Sequence, residues 1–354
     1  MIKFIHCADI HLGSKMESRL PGDKSDERKR EVRATFGKMV EYAANNGVRA
    51  VLMSGDVFDG DRPLKKDKEY FYNLIRSYPQ IDFLYLRGNH DGSESYTEEL
   101  PNLKTFCESW TSYDYGNVRV SGIELDRGNC RSLYSTLRLD ADRINIVMLH
   151  GQTDTTEGAG KINLQSLRDK NIDYLALGHI HSYRTGKLDG RGRYAYSGCL
   201  EGRGFDETGE KGFVLLEVDG GVRARFYPFA CRTIYERTAD LTGISDWVTA
   251  CRAARDCANV GKNDMLRLIL TGEVDFDNDS LAADVQKEIA PLCYFVSVKD
   301  NTVRKINAAA LAEDKSIRGE FIRAVLADAK LTPEQQTRII SAGLKALAGR
   351  GEEL

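Results

Sequence analysis

Five of the six histidines in this 354-residue chain lie within a set of five short motifs that share one layout. In order they are Asp9-Ile10-His11, Gly55-Asp56-Val57-Phe58-Asp59, Gly88-Asn89-His90-Asp91, His150-Gly151 and Gly178-His179-Ile180-His181. Each follows a short, mostly apolar run: Lys3 to Cys7, Ala50 to Met53, Phe83 to Leu86, Ile144 to Met148 and Tyr174 to Leu177. Such runs, partly β-branched or aromatic, read as strands buried on both faces. In open α/β sheets, ligands collect beyond the carboxyl ends of the strands. Five strands ending side by side would therefore gather residues from positions 9 to 181 into one crevice. Gly55, Gly88, Gly151 and Gly178 suit the sharp turns that such ends require.

Histidine is scarce here, so its concentration at strand ends points to metal ligation more than to packing. Asp9 and His11, two apart on a strand end, leave the pleat on the same side and can chelate one ion. Asp56 has two carboxylate oxygens and can bridge a pair of ions. Asn89 offers a neutral carbonyl oxygen to a second ion, alongside His150 and His179. His181, two beyond His179, then serves the first ion. His90 and Asp91 are left without a ligand role. An imidazole beside a dinuclear centre, oriented by a carboxylate, is placed for proton transfer. Oxygen-rich mixed ligation suits manganese, with iron, magnesium or zinc as alternatives, and differs from a sulfur-rich structural zinc site. Two such ions, about 3.5–4 Å apart, are the apparatus of a metal-dependent hydrolase.

Taken together, the five blocks resemble the signature of the calcineurin-like metallophosphoesterases, with no ligand position substituted. Scattered core or surface histidines are the bland alternative, and the combined pattern disfavours it. His11-Leu12-Gly13, and Phe58-Asp59 followed by Arg62-Pro63, resemble the SbcD-type DNA repair nucleases. The segment from Tyr196 to Glu207, then Gly209-Glu210-Lys211-Gly212, resembles the YhaO-like bacterial subgroup. Asp59 stands where some archaeal and eukaryotic relatives carry histidine. The protein serine/threonine phosphatases differ, since they expect Asp-Arg-Gly after the second block and Gly-Asn-His-Glu in the third.

The resemblance implies an α/β fold: a four-layer α/β/β/α sandwich over residues 1–230, a small α/β capping domain over 231–300 and a C-terminal helical hairpin over 301–354. It implies a dinuclear-metal phosphodiesterase, foremost a DNA exo- or endonuclease subunit in double-strand-break repair. DNA, an SbcC-type coiled-coil ATPase held by the C-terminal helices, and a second copy in a homodimer are the implied partners. A stand-alone phosphodiesterase of cyclic nucleotides or other small diesters shares all five blocks but has no need of residues 232–354. A non-enzymatic binding scaffold has no reason to keep the full ligand set.

The net charge of −3 gives no global signal for nucleic acid, so contact with DNA must rest on local cations. Lys15, Arg62, Lys65, Lys66, Lys68, Arg184, Lys187, Arg191 and Arg193 flank the metal blocks, although each also reads as an ordinary solvated charge. The chain is 42% hydrophobic, yet no run approaches membrane-spanning length. The strand-like start carrying Asp9 does not read as a cleavable signal. Eight cysteines without Cys-x-x-Cys spacing read as reduced thiols, hence a cytoplasmic protein, nucleoid-associated when on DNA.

Other segments give local expectations. Ser25 caps an exposed helix with a core stripe of Val32, Phe36, Met39, Val40 and Ala43. His6 packs inside the first strand. Residues 212–218 and 222–228 form a hairpin about Asp219-Gly220-Gly221 and close a second sheet. Strands over 234–238, 265–270 and 294–298 alternate with helices over 244–257 and 281–292. Ile317, Phe321 and Val325 repeat at four-residue spacing. Thr332-Pro333-Glu334-Gln335 is a capping box that opens a helix with Ile339, Ile340, Leu344 and Leu347 on one stripe and Gly349 as its stop. These last helices can pack on the body or present an apolar face to a partner's helix.

Overall fold

All five apolar runs are strands, but they belong to two sheets. The computed structural model describes residues 1–16, 20–60, 62–92, 98–156, 158–276, 278–305 and 308–347. The chain divides into two units, Met1–Tyr235 with Asn263–Met265, and Glu236–Lys262 with Leu266–Leu354. The strands of the first unit are β1 (Ile2–Cys7), β2 (Val48–Ser54), β3 (Asp82–Leu86), β4 (Leu103–Thr105), β5 (Thr111–Tyr115), β6 (Val118–Gly122) and β7 (Ile144–His150). They continue as β8 (Gln152–Asp154), β9 (Lys161–Asn163), β10 (Tyr174–Gly178), β11 (Arg184–Lys187), β12 (Arg193–Tyr196), β13 (Gly212–Val218) and β14 (Val222–Pro228). One sheet runs β14-β13-β1-β2-β3-β4 and the other β11-β12-β10-β7-β6-β5, while β8 and β9 pair alone.

The expectation of five neighbouring strands is thereby corrected. β1, β2 and β3 are parallel neighbours in one sheet, and β7 and β10 in the other. Periodicity alone cannot assign a doubly buried run to a sheet, because every such run looks alike. The 212–228 hairpin is corrected likewise: β13 pairs antiparallel with β1, so it extends the first sheet.

Alternation explains the layers. Phe4, Leu52 and Leu84 point into a core shared with Ile146, Tyr174 and Ala176 of the other sheet. Their neighbours Ile5, Val51, Met53 and Phe83 pack on the opposite face beneath α1 (Gly22–Asn45) and α2 (Lys65–Ser77). Outside the second sheet, Val147, Leu149, Leu175 and Leu177 meet α3 (Leu133–Thr136) and α4 (Leu164–Leu167), so that helical layer is thin. The result is the layered α/β sandwich that the strand pattern and resemblance imply. In α1 the expected stripe is buried, but the helix begins at Gly22 behind Pro21, and Ser25 donates its N–H to the Pro21 carbonyl at 2.9 Å. Arg28, expected on an exposed face, is fully buried and meets Glu201 at 3.0 Å.

In the second unit, β15 (Ile234–Asp240), β16 (Met265–Thr271) and β18 (Phe295–Asp300) form a three-stranded sheet, and β17 (Glu273–Val274) pairs with β19 (Val303–Arg304). The helices are α5 (Trp247–Cys257) and α6 (Leu281–Ile289), followed by α7 (Ala308–Ala312), α8 (Ile317–Ala327) and α9 (Pro333–Leu347). Asp246 caps α5 by accepting the Thr249 N–H at 2.9 Å. The capping box at α9 forms, with the Thr332 N–H on Gln335 Oε1 at 2.8 Å and the Gln335 N–H on Thr332 Oγ1 at 3.3 Å. Ile322, Val325 and Ile340 share a small core, while Ile317, Leu326, Ile339 and Leu347 stay exposed. Gly349 lies outside the described residues.

His6 does more than fill space. Its ring bridges the two sheets of the first unit, with Nδ1 2.9 Å from the Tyr174 hydroxyl and Nε2 3.2 Å from the Leu177 carbonyl. Complete burial pushes its pKa down to about 3, against the raising effect of the Leu177 carbonyl. Between that value and 6.5 the unfolded chain takes up a proton that the folded chain refuses, so stability rises with pH across this window. From pH 7 to pH 5, metal-free wild-type protein should lose about 2 kcal/mol more in urea unfolding than His6→Leu. Equal losses would contradict a neutral, buried imidazole.

Candidate metal centre

The loops that follow the five strands carry an unusual backbone. Asp9, His11, Asp56 and His179 have φ of 50°, 49°, 53° and 101°, a left-handed region that costs non-glycine residues about 1–3 kcal/mol each. Neighbouring bonds hold them there. The N–H groups of Asp9, His11 and Leu12 bind the carbonyls of Gly55, Asp56 and Val57 at 3.0, 3.0 and 2.8 Å, zipping the loop after β1 onto the loop after β2. Glycine is required at the closest approaches. A Cβ on Gly88 would stand 2.2 Å from Asp56 Oδ1, and one on Gly178 would stand 1.9 Å from the Ser54 carbonyl.

Two donor sets face each other across the ends of the sheets. Asp9, His11 and His181 form one and Asp56, His150 and His179 the other, with the donor atoms of each within 4.8 Å; a third group at the same spacing, His11, Asp59 and His90, shares His11 with the first. Asp56 Oδ2 lies between the sets, 4.0 Å from His11 Nε2 and 3.3 Å from His150 Nε2. Asn89 Oδ1 is 3.0 Å from both His150 Nε2 and His179 Nδ1. The structure thus brings together Asp9, His11, Asp56, Asn89, His150, His179 and His181, the residues named as ligands from the sequence.

The hydrogen bonds around the rings test whether cations fit. His11 Nδ1 faces Asp59 at 3.1 Å and His181 Nδ1 faces Glu207 at 2.7 Å. A carboxylate accepts, so each Nδ1 carries the proton and each neutral ring has its lone pair on Nε2. Those two Nε2 atoms confront each other at 3.3 Å. Likewise His150 Nδ1 donates to the Ser54 carbonyl at 2.9 Å, which turns its other nitrogen toward Asn89 and Asp56. Opposed acceptors at such distances are satisfied by a cation, and imidazole with carboxylate and amide oxygen suits a divalent one.

The electrostatics describe a site that favours positive charge. Burial pushes the Asp9 carboxyl up and the His11 ring down. Burial also opposes charge on His150, but Asp56 and Asp9 prevail and raise it to about 9. Asp56 resists its own burial because His150 and His11 hold its carboxyl below the usual range.

His90 and Asp91 need a correction. Asp91 was expected to orient the His90 ring, but its buried carboxylate accepts the N–H groups of Phe58, Gly88 and Val57 at 2.9, 3.0 and 3.2 Å. It staples two loops together, and burial raises it to about 6. The carboxylate facing His90 is Asp59, 3.4 Å from Nδ1. Adjacency in sequence misled here, because successive loop residues point to different sides. His90 is nearly half exposed at a cleft of about 230 Å³ bordered by Ser14, Asp59, Arg203 and Asp206.

Sequence reasoning assigned no role to Asp59, Arg203 and Glu207. Asp59 was visible in the second block, whereas Arg203 and Glu207 sat in the segment from Tyr196 to Glu207, which was used only as a likeness to the YhaO-like subgroup. Of the flanking cations, Arg191 is held by Asp173 at 2.9 Å, and Arg184 and Lys187 are exposed on β11.

Comparison with known proteins gives the following. A family model described as calcineurin-like phosphoesterase matches residues 2–183. The chain is 25% identical over 329 residues to the DNA double-strand break repair protein Mre11 of Sulfurisphaera tokodaii, spanning 86% of this chain and 82% of that protein. It is 28% identical over 296 residues to the uncharacterized metallophosphoesterase YhaO of Bacillus subtilis, spanning 77% of this chain and 72% of that protein. Among solved structures, a dimetal phosphatase from Danio rerio is 11% identical with a TM-score of 0.42, covering 64% of this chain and 96% of that one.

Gly88→Ala tests the donor geometry without touching a donor. The added methyl must displace the Asp56 carboxylate, so manganese affinity should fall at least about tenfold while circular dichroism stays at the wild-type level. Unchanged affinity in equilibrium dialysis would contradict the arrangement.

Proposed function

The chain belongs to the calcineurin-like phosphoesterase family, and on that premise we propose that it is a two-metal phosphodiesterase that cleaves DNA. The observation that carries this reading is the pair of donor sets sharing Asp56, with imidazole nitrogens turned inward on both sides. Asp9, His11, Asp56 and His181 would hold one ion, and Asp56, Asn89, His150 and His179 the other, with manganese the best match. Two such ions supply Lewis acidity that acidifies water and neutralises charge developing on the phosphoryl oxygens.

The chain's own groups complete the chemistry. His90 stands at the mouth of the cleft, and Asp59 turns its Nδ1 inward. Its Nε2 is then the nitrogen placed to hand a proton to the departing sugar oxygen. Asp91 acts through the backbone, keeping the loops that carry Asp56 and Asn89 in register. DNA as substrate is supported by the likeness to Mre11 along most of the chain. On the same grounds the C-terminal helices, with exposed Ile317, Leu326, Ile339 and Leu347, are proposed to hold the coiled coil of an SbcC-type ATPase. A homodimer and residence in the cytoplasm at the nucleoid belong to the same reading.

The test is cleavage of double-stranded, single-stranded and hairpin-ended DNA with manganese, beside a small chromogenic diester. Metal-dependent DNA cleavage is expected, and turnover of the small diester alone, with or without the ATPase, would contradict the assignment to DNA. His90→Ala should retain its metal yet lose about 10²–10⁴-fold in turnover. Wild-type turnover in that variant would remove His90 from the mechanism. Asp56→Ala should bind at least one ion fewer by metal analysis, since its carboxylate is shared.

A further inference from the structure

The segment from Tyr196 to Gly212 leaves the second sheet and returns to the first, and it carries charges that are buried without lining an apolar core. Glu207 is 4% exposed and Lys211 is 2% exposed. Charges this deep persist only where they are paired.

Both meet one histidine, His181. Glu207 Oε1 accepts from His181 Nδ1 at 2.7 Å, and the same carboxylate takes the Arg203 backbone N–H at 2.7 Å and Arg203 Nη2 at 2.7 Å. Arg203 Nη1 reaches Asp59 Oδ1 at 3.7 Å, and that oxygen is 3.1 Å from His11 Nδ1. Lys211 Nζ holds the backbone carbonyl of His181 at 2.8 Å. One guanidinium thus lies between two carboxylates, and each carboxylate backs one histidine of the Asp9 set. Arg203 Nη2 also comes within 3.2 Å of His181 Nδ1; an Nδ1 that donates to Glu207 at the shorter 2.7 Å has no lone pair left to accept from the guanidinium, so this approach is a close contact and not a second hydrogen bond.

We propose that Arg203 and Glu207 are positioning residues of the ion site formed by Asp9, His11 and His181. They fix the tautomer and direction of the His181 ring and, through Asp59, of His11, so that both Nε2 lone pairs are presented to one ion. The second set is independent of this clamp: His150 is oriented by the Ser54 carbonyl, and Asn89 lies on the loop stapled by Asp91. Carboxylate-backed imidazoles are the more basic ligands, and loss of such backing typically costs 10–100-fold in metal affinity. The clamp therefore acts on one ion and not on its neighbour.

The inference rests on the two-ion reading, and the experiment separates the two. Manganese binding to the full chain is followed by calorimetry and by electron paramagnetic resonance, for wild type, Glu207→Ala, Glu207→Gln and Arg203→Lys. Wild type should bind two ions with the spectrum of a coupled pair. Glu207→Ala should lose affinity about 10–100-fold at one site only, giving the six-line spectrum of an isolated ion at limiting metal. Glu207→Gln keeps an acceptor for Nδ1 and should recover part of the loss. Arg203→Lys retains the charge but not the fork, so it should show a smaller site-selective loss and decides the matter if Glu207→Ala does not fold. Two ions bound with wild-type affinity in the folded variants would overturn the proposal, as would equal weakening of both sites. Fewer than two ions in wild type would instead overturn the two-ion reading, and the clamp with it.

Discussion

Both oxygens of the Asp9 carboxylate accept the backbone N–H of His179, at 3.0 and 3.1 Å, and this contact locks the two sheets together at their polar ends. The bond from His150 Nδ1 to the Ser54 carbonyl crosses the same gap, again with its donor on the second sheet and its acceptor on the first. Everything beyond the strands depends on these crossings. They hold residues 170 positions apart in register, and they keep four of the proposed ligand residues in a left-handed backbone that an isolated loop would abandon. The sandwich core below, from Phe4 to Tyr174, supplies the burial that sustains this strain.

The site was legible because its chemistry is local. Asp-x-His, Gly-Asn-His and His-x-His each put donors at fixed spacing on one loop, and the apolar run before each block marks a strand end. The architecture was less legible. A strand buried on both faces carries no mark of the sheet it joins, so the split into β1, β2 and β3 against β7 and β10 could not be read. The same blindness placed the 212–228 hairpin in the wrong sheet. Asp91 and Asp59 show the limit at the level of single residues: which carboxylate meets His90 depends on loop direction, and that is a tertiary fact.

Buried charge was the other blind spot. Arg28 and Glu201 look like surface residues in sequence, yet they pair out of solvent at 3.0 Å. Glu201 also takes the Thr35 hydroxyl and the Cys231 N–H, both at 2.8 Å, tying α1 to the chain that leaves the first unit. Glu207 and Lys211 are likewise buried in the 196–212 connection, and both bond to His181. Propensity and periodicity register charge as exposure, so such supports emerge only once partners are placed.

The central claim is that two divalent ions sit between the ends of the two sheets and share Asp56. Anomalous diffraction from crystals soaked in manganese tests it most directly. Two peaks are expected, one among Asp9, His11 and His181 and one among Asn89, His150 and His179, with the Asp56 carboxylate touching both. A single peak, or a peak enclosed instead by His11, Asp59 and His90, would contradict it.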